Sequence, residues 1–222
     1  MFKFFLLLKS LTVILQYYFS STKRYINLLI AIFKYRPKTI LEIGVFNGVR
    51  SKQLIECAKI FNRKIIFYGF DLFDIMIGDK NLKKYEASKF PLTKKNIKQK
   101  LLKINDKNFL FQGFSKTTLK KFLRKKKKID FIFIDGGHSV DTIRSDWKYV
   151  KQMMDDKSIV IFDDYYYGIK NKIKEIGCNI VINKIDRKKF VVKKLPFIDY
   201  FKKNKNRLGI QMVLVKKNVS HL

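Results

Sequence analysis

From Lys38 onward, short apolar runs alternate with segments of helical period, and this alternation constrains the chain more than any other feature. A short apolar run bounded by turn residues fits a strand buried on both faces. Such strands linked through helices make strand–helix–strand units and a parallel sheet. The pattern predicts strands at Thr39–Ile43, Lys64–Phe70, Asn108–Gln112, Ile129–Ile134 and Ser158–Phe162. Helices fill the intervals at Val49–Phe61, within Leu82–Ile104, at Lys116–Leu123 and at Asp141–Met154. Beyond them the pattern predicts a helix near Ile169–Ile176, then strands Asn179–Ile185 and Gly209–Lys216, paired as a partly antiparallel hairpin across a polar segment. The expected architecture is an α/β, doubly wound, mostly parallel seven-stranded sheet over residues 38–222, with helices on both faces. An apolar and basic helical extension over residues 1–37 precedes it. No internal repeat is visible.

A chain of 222 residues with 47% hydrophobic and 15% aromatic residues and three prolines holds enough apolar material for one core, despite a formal net charge of +31. Cys57 and Cys178 are too few and too far apart for a disulfide framework or a zinc spacing, so a reducing, cytoplasmic setting is expected. The charge raises nucleic acid and anionic membranes as partners. It is carried by 41 Lys against 8 Arg, however, and the planar guanidinium is the better groove reader and phosphate clamp. The lysines are spread along the chain together with Ile, Asn and Phe, as A/T-rich coding would produce, and a solvated lysine face needs no partner. The run Arg124–Lys128, directly before an apolar strand, reads as a gatekeeper against aggregation.

The first 34 residues carry two apolar runs, Phe4–Leu8 and Leu11–Phe19, split by Lys9 and Ser10. Neither approaches the ~20 apolar residues needed to span a bilayer, and no small-residue cleavage site follows them. A helix is expected. Two readings stand for it: peripheral contact with the inner face of a membrane, or a cover over the sheet and its pocket.

The first strand runs into Glu42-Ile43-Gly44-Val45-Phe46-Asn47-Gly48. In open α/β sheets ligands sit beyond the carboxyl ends of the strands, where glycines let the backbone come close. The spacing is G-x-x-x-G, neither a dinucleotide fingerprint nor a phosphate loop, and a tight turn without a ligand fits it equally. The second strand ends in Asp71, placed to accept hydrogen bonds from the two hydroxyls of a ribose. Together with the succession of strands downstream, these residues resemble the class I S-adenosylmethionine-dependent methyltransferases, over roughly Lys38–Lys217. The resemblance implies a Rossmann-like fold, with Glu42, Gly44 and Gly48 flanking the methionine part of S-adenosylmethionine and Asp71 holding its ribose. It also implies that Gln112-Gly113-Phe114-Ser115 lies near the adenine, with Gly113 and Ser115 in contact. Relatives often carry an acidic residue where this chain has Phe114, which points to backbone groups or stacking for adenine recognition.

Two apolar strands end in Asp135-Gly136-Gly137-His138 and Asp163-Asp164-Tyr165-Tyr166. Asp135, Asp163 and Asp164 should emerge at one sheet edge, where they repel one another unless a cation or protons intervene. A divalent ion such as Mg2+ suits three such oxygen donors. Alternatively, one aspartate serves the cofactor and the others cap loops. The pattern is similar to the metal-dependent catechol and caffeoyl-CoA O-methyltransferases and to macrocin-type sugar O-methyltransferases. The former carry Asp-Asn where this chain has Asp163-Asp164. By that similarity Asp135 serves both cofactor and metal, and His138 takes the place of a catalytic lysine base. Asp141 either orients His138 or favours the helix dipole. Trp147 is assigned to the core, and Tyr165–Tyr167 to packing or an acceptor pocket.

The resemblance implies methyl transfer to a hydroxyl oxygen of a small molecule or glycan, with a sugar the preferred acceptor. A nucleic-acid methylase is the alternative enzyme, but the Asn/Asp-Pro-Pro-aromatic motif of amino-directed nucleic-acid methylases is missing from the sequence. A membrane-associated binding module without turnover is the non-enzymatic alternative.

Overall fold

A computed structural model of the protein describes residues 1–76, 92–168, 174–203 and 206–219. The strands are β1 (Thr39–Ile43), β2 (Ile66–Asp71), β3 (Asn108–Gln112), β4 (Phe131–Ile134), β5 (Ile159–Tyr167), β6 (Phe190–Lys203) and β7 (Asn206–Lys217). They form one sheet in the order β3-β2-β1-β4-β5-β7-β6. The first five strands are parallel, while β7 runs antiparallel to both β5 and β6. The strand order reverses direction between β1 and β4, which opens a crevice at their carboxyl ends. The fold is therefore a seven-stranded, mostly parallel sheet, as the alternation predicted, of the Rossmann-like kind that the family resemblance implied.

The helices are α1 (Phe2–Tyr18), α2 (Ile26–Tyr35), α3 (Val49–Lys59), α4 (Lys94–Leu102), α5 (Ser115–Leu123), α6 (Val140–Val150) and α7 (Asn179–Asn183), with a 3-10 turn at Lys23–Tyr25. Both faces of the central strands are covered, as their continuous apolar runs demand. Along β4 the side chains alternate: Phe131 and Phe133 pack with Leu28, Ile32, Ile55 and Ile97 on one face. Ile132 and Ile134 pack with Phe122, Ile143 and Ile182 on the other. Each of these fully buried side chains is worth about 1.5–3 kcal/mol.

Residues 1–37 share this core. Leu6, Leu28, Leu29 and Ile32 belong to the same apolar cluster as β1 and α3. Lys9 Nζ donates to Glu56 at 2.6 Å and the Tyr17 hydroxyl to Gln53 at 2.9 Å. The segment thus covers the sheet-and-helix layer with one face of α1. Among the described residues no helix is long and apolar enough to cross a membrane. Cys57 and Cys178 are both buried and free of disulfides.

The last third departs from expectation. The predicted strand Asn179–Ile185 is the short helix α7, and the hairpin partner of β7 is β6, within the segment read as polar. The β-branched run Ile180-Val181-Ile182 suggests a strand, but Asn179 overrides it. Its side-chain amide accepts from the Tyr166 backbone N–H and donates to the Tyr166 carbonyl, both at 2.9 Å, starting a buried helical turn instead. β6 escaped notice because it is the edge strand, and lysines with Pro196 are what protects an edge from pairing with other chains. Strand β5 also runs past Phe162 to Tyr167, with a bulge between Phe162 and Tyr165. Of the helix expected near Ile169–Ile176, residues 169–173 lie outside the described residues, and residues 174–176 form a turn and an isolated bridge to Ser139 instead of a helix. Of the stretch Leu82–Ile104, which contains α4, residues 82–91 lie outside the described residues.

Candidate active site

The crevice at the β1–β4 reversal is a cavity of about 540 Å³, well within the ~300–1,000 Å³ of small-molecule sites. One wall is made by turns that leave strands. Gly44 follows β1 at φ 94°, and a Cβ built there would lie 1.9 Å from the Asp135 carbonyl oxygen, so only glycine fits between the two strand ends. Asp71 ends β2. Its Oδ2 accepts from the Phe46 N–H and its Oδ1 from the Phe73 N–H, each at 2.7 Å. The two hydrogen bonds fix the carboxylate across the glycine turn and leave each oxygen a further lone pair facing the cavity. Gly113, Phe114 and Ser115 follow β3 on the same wall, and Phe114 is 55% exposed there.

The opposite wall is assembled from distant segments. Asp135 leaves β4, and Gly136, Gly137 and His138 follow it along the cavity, with Asp164 facing them from the β5 bulge. Asp164 sits at φ 60°. Successive strand residues point to opposite faces, and the bulge re-aims this one into the cavity. His138 Nδ1 is hydrogen-bonded to Asp164 Oδ2. That bond assigns the proton to Nδ1 and makes Nε2 the basic atom of the ring.

The cation of this wall comes from the N-terminal segment. Arg24, 9% exposed, directs Nε to both oxygens of Asp163 at 2.9 and 3.1 Å, Nη1 to Asp199 and Nη2 to the Tyr25 hydroxyl. Its backbone N–H also donates to Asp199 at 2.9 Å. Tyr25 lines the cavity, with the Arg50 guanidinium 3.6 Å from its ring centroid. Burial, and then the nearby Asp163 and Asp164 charges, push the Asp135 carboxyl well above its ordinary range. Burial also raises Asp163, against the pull of Arg24. Burial works against Asp164 too, but its His138 and Arg24 partners hold it below the usual carboxylate value. Desolvation keeps the Tyr25 phenol protonated.

Of the residues read from the sequence, Gly44, Asp71, Gly113, Ser115, Asp135, His138 and Asp164 line the cavity. Glu42 does not. It lies fully buried on β1, where burial lifts its carboxyl to about 8 against a hydrogen bond from Ser51, and its Oε1 has no partner among the described residues. Gly48 caps α3 at φ 71° and faces Ile97 rather than the cavity. Asp163 lies behind the wall, bound to Arg24.

The three carboxylates therefore converge as expected, but as donors they do not fit a divalent ion. Both oxygens of Asp163 are held by a guanidinium and Asp164 by an imidazole. Among the described residues no three His, Cys, Asp or Glu side chains are grouped to hold a metal. Sequence reading missed Arg24, Tyr25, Arg50 and Asp199. The available signal was the demand of three convergent carboxylates for a cation, with Arg24 standing beside an apolar helix.

A switch-point crevice with a glycine turn, an acidic second-strand end and a histidine–aspartate pair defines a Rossmann-like enzyme that holds a ligand at the carboxyl edge of its sheet. A family profile described as a methyltransferase domain matches residues 41–165, more than half of the chain, and the protein belongs to that methyltransferase family. Solved structures of similar fold include an O-methyltransferase from Bacillus cereus in complex with SAH, 16% identical over 95% of this chain and 90% of that one, with a TM-score of 0.57. The SAH-bound methyltransferase PaMTH1 of Podospora anserina is 16% identical over 90% and 80%, with a TM-score of 0.58. The O-methyltransferase TomG of Streptomyces achromogenes, involved in tomaymycin synthesis and bound to SAM, is 14% identical over 85% and 78%, with a TM-score of 0.54. No curated protein sequence matches the chain.

Proposed function

We propose that the protein transfers the methyl group of S-adenosylmethionine to a hydroxyl oxygen of a small molecule, a sugar or other glycan being the preferred acceptor. The observation that carries this reading is that one cavity holds Asp71 and the glycine turn on one wall and the His138–Asp164 pair on the other. S-adenosylmethionine, when bound, supplies a methyl group already activated on a sulfonium. The chain's own work is to align, to exclude water and to remove a proton. Asp71 accepts the ribose hydroxyls, the Gly44 turn lets the backbone approach the methionine part, and Phe114 offers an exposed ring for the adenine to stack on. His138 Nε2 takes the acceptor's proton, and Asp164 holds the ring in orientation and stabilises the imidazolium that forms. Arg24 neutralises Asp163 and Asp199 behind this wall, which lets the carboxylates gather there without a divalent ion. Thr22, Tyr25 and Thr142 line the cavity with polar groups suited to a polyhydroxylated acceptor.

We do not extend the proposal to nucleic acid. Asp164 faces the acceptor space as an ionised carboxylate, which repels a phosphate backbone. The test is calorimetric titration of S-adenosylmethionine into the wild-type protein and Asp71→Ala, followed by a screen of hydroxyl acceptors. Saturable binding should weaken about 100-fold in the variant, the worth of two charge-assisted hydrogen bonds. An absence of wild-type binding refutes the reading, and binding without transfer to any acceptor supports the non-catalytic alternative.

A further inference from the structure

Helix α1 is apolar on both faces. The inner face is accounted for, with Leu6 and Ser10 buried and Lys9 and Tyr17 bonded to α3. The outer face is not. Phe4, Leu8, Leu11, Leu15 and Tyr18 follow one another at alternating steps of four and three residues, which aligns them along one side of the helix. They are 64%, 48%, 45%, 57% and 51% exposed, and Phe5 and Phe19 widen the stripe. A contiguous apolar patch of this kind marks a binding surface.

Charge identifies the occupant. Residues 1–41 contain no Asp or Glu and seven Lys or Arg. Lys3, Lys23, Lys34, Arg36 and Lys38 are exposed, and Lys23 Nζ stands 5.3 Å from the ring centroid of Tyr18, at the edge of the stripe. A second copy of this chain would bring an equal +31 against the first. We propose that the outer face of α1 docks on an anionic lipid bilayer, lying in the plane of the surface with the stripe in the headgroup and acyl boundary and the lysines among the lipid phosphates. The helix lies on the bilayer rather than crossing it. Its 17 residues extend only ~26 Å, short of the ~30 Å hydrocarbon core, and its inner face is occupied. Thr22, Arg24 and Tyr25, which follow α1 directly, line the cavity, so the bilayer would lie next to the acceptor wall. For the acceptor this means a lipid-linked hydroxyl compound, a point that rests on the methyl-transfer reading. The docking itself does not.

The experiment floats the full chain with vesicles of phosphatidylglycerol and phosphatidylcholine in equal parts, and with phosphatidylcholine alone. The variant is Phe4→Gln/Leu8→Gln/Leu11→Gln, which leaves the charge unchanged and alters only exposed positions. A second protein, Leu11→Trp, reports insertion through quenching by brominated acyl chains, against a background from Trp147 packed on Phe162 and Phe190. The proposal predicts flotation with the anionic vesicles, at least about tenfold weaker in the triple variant, and quenching of the new tryptophan. It is overturned if the wild type stays in the aqueous fraction, if the triple variant floats equally through its lysines alone, or if the tryptophan is not quenched. It is also overturned if light scattering shows a wild-type dimer that the triple variant converts to a monomer. The result does not depend on cofactor binding, so its failure and that of the enzymatic reading are separable.

Discussion

The two walls of the cavity are built by different means. The wall proposed for the cofactor consists of turns immediately after β1, β2 and β3, and its cavity-lining groups are backbone, one aspartate and one exposed aromatic ring. The wall proposed for the acceptor consists of side chains from segments far apart, with Arg24 reaching Asp163 and Asp199 across 139 and 175 residues of sequence. Parallel strands bring their carboxyl ends together wherever the topology reverses, so a backbone-built wall comes with the fold. A side-chain-built wall has to be completed by elements outside the parallel sheet, here the 3-10 turn before α2 and the edge strand β6. Binding and chemistry should therefore be separable by mutation.

His138→Ala is the sharpest test of that separation. Loss of the base should lower kcat about 10²–10⁴-fold while the calorimetric Kd for S-adenosylmethionine stays within about threefold. An equal loss in both would mean that the walls are not independent. Next comes Arg24→Met, which strands two buried carboxylates and should reduce unfolding stability by about 3–5 kcal/mol in urea titration. Added Mg2+ should not restore activity to this variant. If it does, the carboxylates hold a metal once the guanidinium is gone. Glu42 tests the floor beneath both walls. Its folded value of about 8, against an ordinary 4.5, means that the native state binds the extra proton between those values. Stability therefore falls as pH rises through that window, on the order of a few kcal/mol in all. Glu42→Gln should flatten this slope in denaturation curves measured at about pH 5 and about pH 8.5. The smallest effect belongs to Phe114→Ala, about tenfold in cofactor affinity with kcat nearly unchanged, as expected for loss of one stacking ring.

The same contrast governs what could be read from the sequence. Gly44, Asp71, Asp135 and His138 stand at or just beyond strand ends that apolar runs announce, so a local pattern was enough to place them. Arg24 and Asp199 carry no local signature, because their role exists only when the segments holding them meet. Glu42 and Gly48 show the converse limit. Both belong to the motif around the first turn, yet one lies under the floor and the other starts a helix, since neighbouring residues in a turn face different directions. The misread strand at Asn179 had one cause, an amide side chain bonded to a distant backbone, and the overlooked strand β6 had another, the polar surface that an edge requires.

Asp199 ties the closure of this wall to the docking of an edge strand. Arg24 precedes every strand of the sheet in the chain, and its partner on β6 follows the five parallel strands and all seven described helices. Without β6 in place the guanidinium lacks one of its two carboxylates, and the wall it supports cannot be closed. Displacement of β6 from β7 would therefore loosen this wall from behind while the turns of the opposite wall stay in place.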